Sequence, residues 1–470
     1  MKPLIVVSNR TPAESAAAGG LAVALRKVLG SRDGFWFGWS GEHAEHTSET
    51  AQFKDVDGLR VATIDVQEDD YRGYYEGFSN SVLWPTFHHR LDLIQIDLKE
   101  YEAYQRVNRA FAVALAKEVG PDHTIWVHDY HLIPLGLELR RLGITNKIGF
   151  FLHIPMAGPE IFSAAPHQAE LMNCLAAYDL VGLQAERDVE KFVAQHEGSN
   201  LPSVIDANDA QSPHWPSCVE AFPIGTDPEA FRKLLTTQNA VRTANLVDRS
   251  LAGRSLILGV DRLDYSKGLP ERIAGYERML ENFPEQQRKV HLLQIAPPSR
   301  EKIDEYQKIS DELDSSYGRV MGRFAELDWN PINYVKRAYP QSALAGLYRK
   351  ANVALVTPLR DGMNLVAHEF VACQDPEDPG VLILSRFAGA AELFPTALMV
   401  NPHDIDEMAQ AMNTALLMPL SERIERWSAM MAVVETHTVD AWAESFLNRL
   451  AEVDPSVGGD DYEVPKVAAE

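Results

Sequence analysis

The stretch SLILGV at 255–260 is the first of five short, continuously apolar runs that decide the fold of the carboxyl-terminal half. The others are HLLQIA at 291–296, VALVTP at 353–358, GVLILS at 380–385 and ALMVNP at 397–402. Helix-like segments separate them. Runs this apolar are typical of parallel strands that are buried on both faces. They predict an α/β domain built on a parallel sheet.

A second series of apolar runs occupies the amino-terminal half, and a polar, helix-prone interval at 226–254 lies between the two series. Strands and helices that alternate over the whole length predict an α/β fold with two Rossmann-like domains facing a central cleft. We place the domains at 1–238 and 239–439. Ligands of such sheets bind beyond the carboxyl ends of the strands. The runs of the second series are LIVV at 4–7, IWVH at 125–128, IGFFLH at 148–153, LVGLQ at 180–184 and VEAFPIG at 219–225.

The charge of the chain limits its partners. Its 470 residues include 67 acidic and 44 basic side chains, which give a formal net charge of −23. This charge argues against a nucleic-acid surface and against a basic membrane-binding patch. An anionic substrate must therefore meet a local basic pocket.

The cysteines and the two ends of the chain suggest its compartment. Cys174, Cys218 and Cys373 show no metal-binding spacing, and their odd number does not suit a disulfide framework. The apolar run near the amino terminus is too short for a signal peptide or a membrane span. These features predict a cytoplasmic protein. The acidic tail at 454–470 has no amphipathic period and is predicted to be mobile.

The loop GVDRLDYSKGLPER at 259–272 follows the first strand of the carboxyl-terminal series. Arg262 and Lys267 place two cations on this loop, just before a predicted helix. Fixed cations and helix amides stabilise the charge that develops on a departing diphosphate. Alternatively, Arg262 pairs with a neighbouring aspartate and Lys267 is a solvated surface charge.

The stretch TPLRDGMNLVAHEF at 357–370 leaves another strand, turns at Asp361 and enters a helix near Asn364. Helix amides there would hold phosphate, while Glu369, about one turn further on, would hold a ribose. Asp361 would face the sugar. The alternative is an ordinary strand, turn and helix without a ligand.

The amino-terminal half offers polar and aromatic candidates at the ends of its strands. Arg10 follows the first strand, and Asp129 and His153 follow two later ones. The crowded His128, Asp129 and His131 lack the spacing of a metal site, so no metal is predicted. Glycines and aromatic residues in loops extend this set, because they permit close backbone approach and suit the C–H faces of a sugar. They are Gly19, Gly20, Trp39, Tyr75 and Trp84.

Nine segments carry a resemblance to a known family, in the family's order and over roughly residues 3–450. The chain resembles the trehalose-6-phosphate synthases, which implies the GT-B fold with a final helix, about 440–453, crossing back to the first domain. It also implies glucose transfer with retention of configuration from nucleotide-glucose, most simply UDP-glucose, to glucose 6-phosphate, without a cofactor or a metal. The segments are SNR, AGGLAVAL, WFGWSG, FSNSVLWPTFHHR, WVHDYHL, GFFLHIP, DRLDYSKGLPER, QIAPPSR and TPLRDGMNLVAHEF.

The resemblance also implies roles for individual residues. Catalysis would rest on Arg262, Lys267, Asp361, His153 and Asp129, with no protein nucleophile. The donor site would contain Gly19, Gly20, Arg262, Lys267, Ile295, Pro297, Tyr339, Asp361, Gly362, Met363, Asn364, Leu365, Val366 and Glu369. The acceptor site would contain Arg10, Trp39, Tyr75, Trp84, Asp129 and Arg300. A homo-oligomer, dimer or tetramer, is common in the family.

The chain departs from the family pattern at two positions. Gln341 stands where an arginine near the acceptor phosphate is common, and His368 stands where lysine is common. Losing the arginine weakens phosphate binding unless Arg337 or another cation replaces it. Two alternatives therefore stay open: a sister transferase with another acceptor, such as glycerol 3-phosphate, and a catalytically silent sugar-phosphate sensor.

Overall fold

The structure, a computed structural model, describes residues 2–11, 20–30, 32–197, 218–300 and 303–453. The chain divides into two units, the first formed by residues 1–222 and 442–470 and the second by Pro223–Ala441. Each unit contains one sheet, so the predicted α/β class with two mostly parallel sheets is confirmed. No helix within the described ranges is both long and apolar enough to cross a membrane.

The first unit is built on an eight-stranded sheet in the order β3-β4-β2-β1-β5-β6-β7-β8, in which only the β3–β4 pair is antiparallel. Its strands are β1 (Leu4–Arg10), β2 (Gly34–Ala44), β3 (Gln52–Val56), β4 (Leu59–Gln67), β5 (Thr124–His128), β6 (Ile148–Phe151), β7 (Leu180–Leu183) and β8 (Val219–Ala221). Its helices are α1 (Gly20–Gly30), α2 (Glu68–Tyr71), α3 (Trp84–Phe87), α4 (Leu98–Ala116), α5 (Leu135–Arg141), α6 (Pro159–Phe162), α7 (Gln168–Leu175) and α8 (Glu186–Glu197). A π-helix, Arg72–Leu83, joins α2 to α3.

The second unit is built on a six-stranded parallel sheet in the order β11-β10-β9-β12-β13-β14. Its strands are β9 (Ser255–Val260), β10 (Val290–Ile295), β11 (Ile332–Val335), β12 (Val353–Val356), β13 (Val381–Ser385) and β14 (Leu398–Val400). Its helices are α9 (Pro228–Leu235), α10 (Gln238–Leu251), α11 (Leu269–Asn282), α12 (Asp304–Phe324), α13 (Gln341–Lys350), α14 (Leu365–Cys373), α15 (Ala390–Leu393), α16 (Ile405–Leu417) and α17 (Leu420–Thr436).

The last helix, α18 (Val439–Glu452), begins in the second unit, and from Trp442 onward it belongs to the first. Its fully buried Phe446 ring packs on β6 and β7, where a Cβ added to Gly149 or Gly182 would lie 2.7 Å from that ring. Glycine in both strands therefore makes the space that Phe446 fills. The Trp126 ring of β5 stacks on Phe446, with the ring centres 4.8 Å apart. Close packing of this kind fixes the helix on the sheet.

Candidate active site

The carboxyl edge of the first sheet begins with a cation on an aromatic face. Arg10 is the last residue of β1 and lies opposite Trp39 of β2 in the register of the pair. The centre of its guanidinium lies 5.3 Å from the centre of the Trp39 ring. Gly41 has φ +97°, and a Cβ there would lie 2.5 Å from Arg10 Nη2. A side chain at position 41 would therefore displace the arginine.

A row of stacked rings continues from Trp39. The Tyr71 ring centre lies 4.6 Å from that of Trp39, and the Tyr75 ring lies 5.2 Å from Tyr71. The His131 ring lies 5.5 Å from Tyr75, nearly parallel at 11°. Tyr75 is therefore held between two rings. Sequence reasoning missed Tyr71 and His131, although the four-residue spacing of the two tyrosines in a helical segment is a usable signal.

Trp84 lies deeper in the first unit than the other predicted aromatic residues. It is the first residue of α3, and only 5% of its surface is exposed. Its ring packs on His88, at 4.1 Å between centres, and on Tyr130, at 5.6 Å. Most of this side chain therefore belongs to the core beneath the row of stacked rings.

Asp129 and His153 follow the adjacent strands β5 and β6. Asp129 has φ +77°, a backbone conformation that is unfavourable for a residue with a side chain. Its Oδ1 accepts the backbone N–H of His153 at 3.3 Å. The His153 ring contacts His128 Nδ1 at 3.0 Å and Gln184 Nε2 at 3.4 Å. Burial lowers the pKa of His153 to about 3, so this imidazole is neutral near pH 7.

In the second unit, the loop after β9 brings Lys267 to the sheet edge. Asp264 Oδ1 accepts the Ser266 N–H at 3.0 Å and caps a 3₁₀ turn that ends at Lys267. Gly268 follows with φ +64°, and a Cβ there would lie 2.4 Å from the Thr357 carbonyl oxygen, so glycine is required at this bend. Arg262, earlier in the loop, is exposed.

Lys267 reaches Asp361, which follows β12. Lys267 Nζ lies 2.5 Å from Asp361 Oδ2, and the Asn364 amide donates to the same oxygen at 3.0 Å. Asn364, at φ +73°, also caps α14, because its side chain accepts the Val366 N–H at 3.2 Å. The structure thus brings together the cation, the carboxylate and the helix start that the sequence predicted in two separate stretches. The positive end of the α14 dipole lies beside them.

Glu369 lies one turn into α14. Its Oε2 accepts a hydrogen bond from the Tyr348 hydroxyl of α13 at 3.0 Å. Burial raises the pKa of Glu369 to about 7, and the tyrosine hydrogen bond opposes this only partly. This carboxyl therefore titrates in the physiological range.

Arg300 lies in the second unit, where it pairs with internal groups. Its φ is +51°, and 7% of its side chain is exposed. Its Nη1 donates to the Tyr306 hydroxyl at 2.5 Å and lies 3.6 Å from Asp264 Oδ2. Asp264 therefore contacts both Arg300 and the turn that carries Lys267.

The three residues predicted near the donor base, Ile295, Pro297 and Tyr339, make two kinds of contact in the structure. The carbonyl oxygens of Ile295 and Pro297 accept the backbone N–H groups of Asp261 and Leu263, so they support the loop that carries Arg262. The Tyr339 hydroxyl accepts from Arg337 Nε at 3.1 Å and Nη2 at 2.9 Å.

The remaining predicted site residues lie at or next to the start of α14 or of α1, apart from one that lies outside the described residues. Gly362 and Met363 lie between Asp361 and Asn364, with Met363 buried, and Leu365 is the first residue of α14. Gly20 is the first residue of α1, whereas Gly19 and the tail at 454–470 lie outside the described residues. Within the described part of the chain, no group of three or more His, Cys, Asp or Glu side chains is arranged to hold a metal ion.

These two sheet edges, one aromatic and one built of ion pairs, suit the sugar and the diphosphate that a glycosyltransferase binds. The sequence matches the model of glycosyltransferase family 20 over residues 6–452, and the chain belongs to this family. The predicted resemblance, the enzyme class and the GT-B fold are thereby confirmed.

The names of individual relatives are more specific than the family description. The chain is 44% identical over 458 residues to a trehalose-6-phosphate synthase of Sodalis glossinidius (strain morsitans), which covers 96% of this chain and 97% of the relative. A UDP-forming α,α-trehalose-phosphate synthase of Burkholderia xenovorans, solved with glucose-6-phosphate, matches with a TM-score of 0.88 and 44% identity, covering 96% of this chain and 100% of the other. An E. coli structure with bound UDP-2-fluoro glucose matches with a TM-score of 0.89 and 41% identity, covering 96% and 99%.

Proposed function

We propose that this enzyme transfers glucose, with retention of configuration, from UDP-glucose to glucose 6-phosphate and so forms α,α-trehalose 6-phosphate. The observation that carries the proposal is the Lys267–Asp361 pair, 2.5 Å long, at the start of the capped helix α14. It supplies a cation for a diphosphate and a carboxylate for sugar hydroxyls in one place. The ligands of the two solved relatives have the matching chemistry.

On the donor side, Arg262, Lys267 and the first amides of α14 bind the diphosphate, and Glu369 accepts the ribose hydroxyls. When the diphosphate binds, Lys267 turns toward it, and Asp361 becomes free to accept a hydrogen bond from the transferred glucose. The residues from Asp361 to Val366 line this donor site, and we assign Gly19 and Gly20 to donor binding as well. We assign this donor role to the predicted domain 239–439.

On the acceptor side, we assign Arg10 and Arg300 to the negatively charged phosphate of glucose 6-phosphate. Trp39 and Tyr75 offer apolar ring faces to the sugar, Trp84 adds only the small exposed part of its ring, and Asp129 accepts from the sugar hydroxyls. We assign these roles, apart from that of Arg300, to the predicted domain 1–238 with the terminal helix. Gln341 supplies no cation, and the exposed Arg337, which packs on Tyr339, is the nearest substitute in sequence.

The transfer step needs no protein nucleophile. The bond from glucose C1 to the phosphate oxygen breaks, and its electron pair leaves with UDP. The acceptor oxygen bonds to C1 on the same face, and its proton passes to the departing phosphate. Arg262 and Lys267 stabilise the charge that grows on UDP, so the step requires neither a metal nor a cofactor.

The test is direct. The protein is incubated with UDP-, ADP- or GDP-glucose and with glucose 6-phosphate or glycerol 3-phosphate, and products are identified by NMR. We expect α,α-trehalose 6-phosphate, formed fastest from UDP-glucose. Faster reaction with glycerol 3-phosphate would replace the acceptor, a possibility that Gln341 favours, and no product from any pair would indicate a silent sensor. Light scattering with and without substrates tests the homo-oligomer that we also propose.

A further inference from the structure

Three side chains form a hydrogen-bonded row along the carboxyl edge of the first sheet. His128 ends β5, His153 follows β6 and Gln184 follows β7, which are neighbouring parallel strands. His128 Nδ1 lies 3.0 Å from His153 Nε2, and Gln184 Nε2 lies 3.4 Å from His153 Nδ1. Both ring nitrogens of His153 are therefore engaged within the protein.

We propose that His128 is a positioning residue that fixes the tautomer of His153 and so presents Nδ1 as an acceptor to a hydroxyl of the transferred glucose. This inference rests on the proposed function and on the family resemblance, which implies that His153, like Asp361, holds the transferred glucose. It adds a residue, His128, that has no contact role of its own in that proposal.

Donor and acceptor chemistry fixes the direction of the hydrogen bonds along this row. The amide nitrogen of Gln184 can only donate, so Nδ1 of His153 accepts. A neutral imidazole carries one proton, which then sits on Nε2 and is donated to His128 Nδ1. Burial lowers the pKa of both rings, so neither is charged near pH 7. This arrangement satisfies both nitrogens of His153 and leaves the proton of His128 on its Nε2, a buried atom without a hydrogen-bond partner within the described part of the chain.

The surroundings hold His128 still. The residue is fully buried, and its ring lies 4.6 Å from Trp126 and 6.3 Å from Trp442, measured between centres. Trp442, on the terminal helix α18, also lies 5.9 Å from the His153 ring. Aromatic rings thus surround the His128–His153 hydrogen bond and limit rotation of either imidazole.

The two bonds of His153 differ in a way that suits ligand exchange. The contact with Gln184 is the longer one, so an incoming hydroxyl replaces the amide at Nδ1 while His128 keeps Nε2 in place. A neutral acceptor puts no positive charge beside a sugar that becomes cationic in the transition state. Without His128, the Nε2 proton of His153 has no acceptor, so the tautomer protonated at Nδ1, which cannot accept from a hydroxyl, gains population.

The kinetic test compares His128→Phe, which removes the acceptor, with His128→Asn, which keeps an amide at the Nδ1 position. We expect the phenylalanine variant to lower kcat by about 10- to 100-fold, as for other residues that orient a contacting ligand, and the asparagine variant to stay near wild type. In a His153→Ala background, the change His128→Phe should cause almost no further loss of kcat. The matched control is His123→Phe before the amino end of β5, where we expect an unchanged kcat.

The second readout needs no turnover. Nitrogen-15 spectra of histidine-labelled protein report which ring nitrogen carries the proton. We expect His153 to be protonated at Nε2 in the wild type and at Nδ1 in His128→Phe. Full activity of that variant, equal losses with and without His153, or an unchanged tautomer would overturn the inference. If His128→Phe does not fold, His128→Gln replaces it. The glutamine amide sits at the Nε2 position of His128, so the Nδ1 position is again left without an acceptor. An inactive wild type with the expected tautomers would instead contradict the proposed function alone.

Discussion

The two sheets present different chemistry at equivalent edges. In the first unit, the row Trp39, Tyr71, Tyr75 and His131 offers ring faces, beside the neutral His128–His153 pair. In the second unit, three ion pairs follow the strands: Lys267–Asp361 at 2.5 Å, Arg272–Asp261 at 2.8 Å and Arg300–Asp264 at 3.6 Å. The same strand-to-helix scheme thus presents aromatic faces at one edge and paired charges at the other.

The difference explains how a chain with net charge −23 can bind anions. Lys267, Arg272 and Arg300 at the second edge are each held by a carboxylate before a ligand arrives, whereas Arg262 is exposed. In the function that we propose, a diphosphate competes with Asp361 for Lys267 instead of meeting an isolated charge. Stacked rings need no such balance, because their contacts with C–H groups depend on area.

The largest effect is expected where charge is removed from the second edge. Lys267→Ala should lower kcat by about 10²- to 10³-fold, since one group that stabilises developing charge is typically worth that much. Steady-state kinetics with both substrates saturating measures it. Lys289→Ala, an exposed lysine just before β10, is the matched control and should match wild type. A loss below tenfold would mean that the two edges do not differ in the way we describe.

A smaller effect is expected from Glu369 at the second edge, whose carboxyl titrates near neutrality. Its pKa is raised to about 7, and the ribose hydroxyls need the ionised form. UDP-glucose should therefore bind more tightly above pH 7, and its Kd should rise on the order of tenfold between pH 8 and pH 6. Calorimetry without acceptor measures this, because UDP-glucose has no phosphate ionisation in that range. Glu369→Gln should bind weakly at both pH values, and a retained pH dependence would assign it to another group.

The sequence predicted some of this architecture well. The run SLILGV at 255–260 coincides with β9, because a parallel strand buried on both faces is apolar throughout. It did not predict β2 and β4. Glycine and polar residues in WFGWSG indicate a loop, whereas tertiary pairing with β1 makes the segment a strand.

The site was predictable to a similar degree. Positions at strand ends predicted that Lys267 and Asp361 lie together and that His153 lies at the edge of the first sheet, since the carboxyl ends of parallel strands meet at one edge. The roles of these residues in a site stay predictions. The local sequence pattern does not show which residues pair with one another across the fold. The Arg300–Asp264 pair joins two loops, and the His128–His153 bond needs the register of two strands. The π-helix at Arg72–Leu83 is likewise not predicted by a 3.6-residue period.

The smallest effect should come from the first edge, where Tyr71 supports Tyr75 without a charge. Tyr71→Leu removes one face of the stack, worth about 1 kcal/mol, so KM for glucose 6-phosphate should rise about fivefold. The kcat value should stay near wild type, because the transition-state charge lies elsewhere. Tyr71→Phe keeps the ring and should keep the wild-type KM. Repeating the comparison at high salt separates the two edges further: the fivefold ratio should persist, whereas binding of UDP-glucose weakens as its ion pairs are screened. A fall in kcat at constant KM would place Tyr71 in the chemical step and remove the distinction between the two edges.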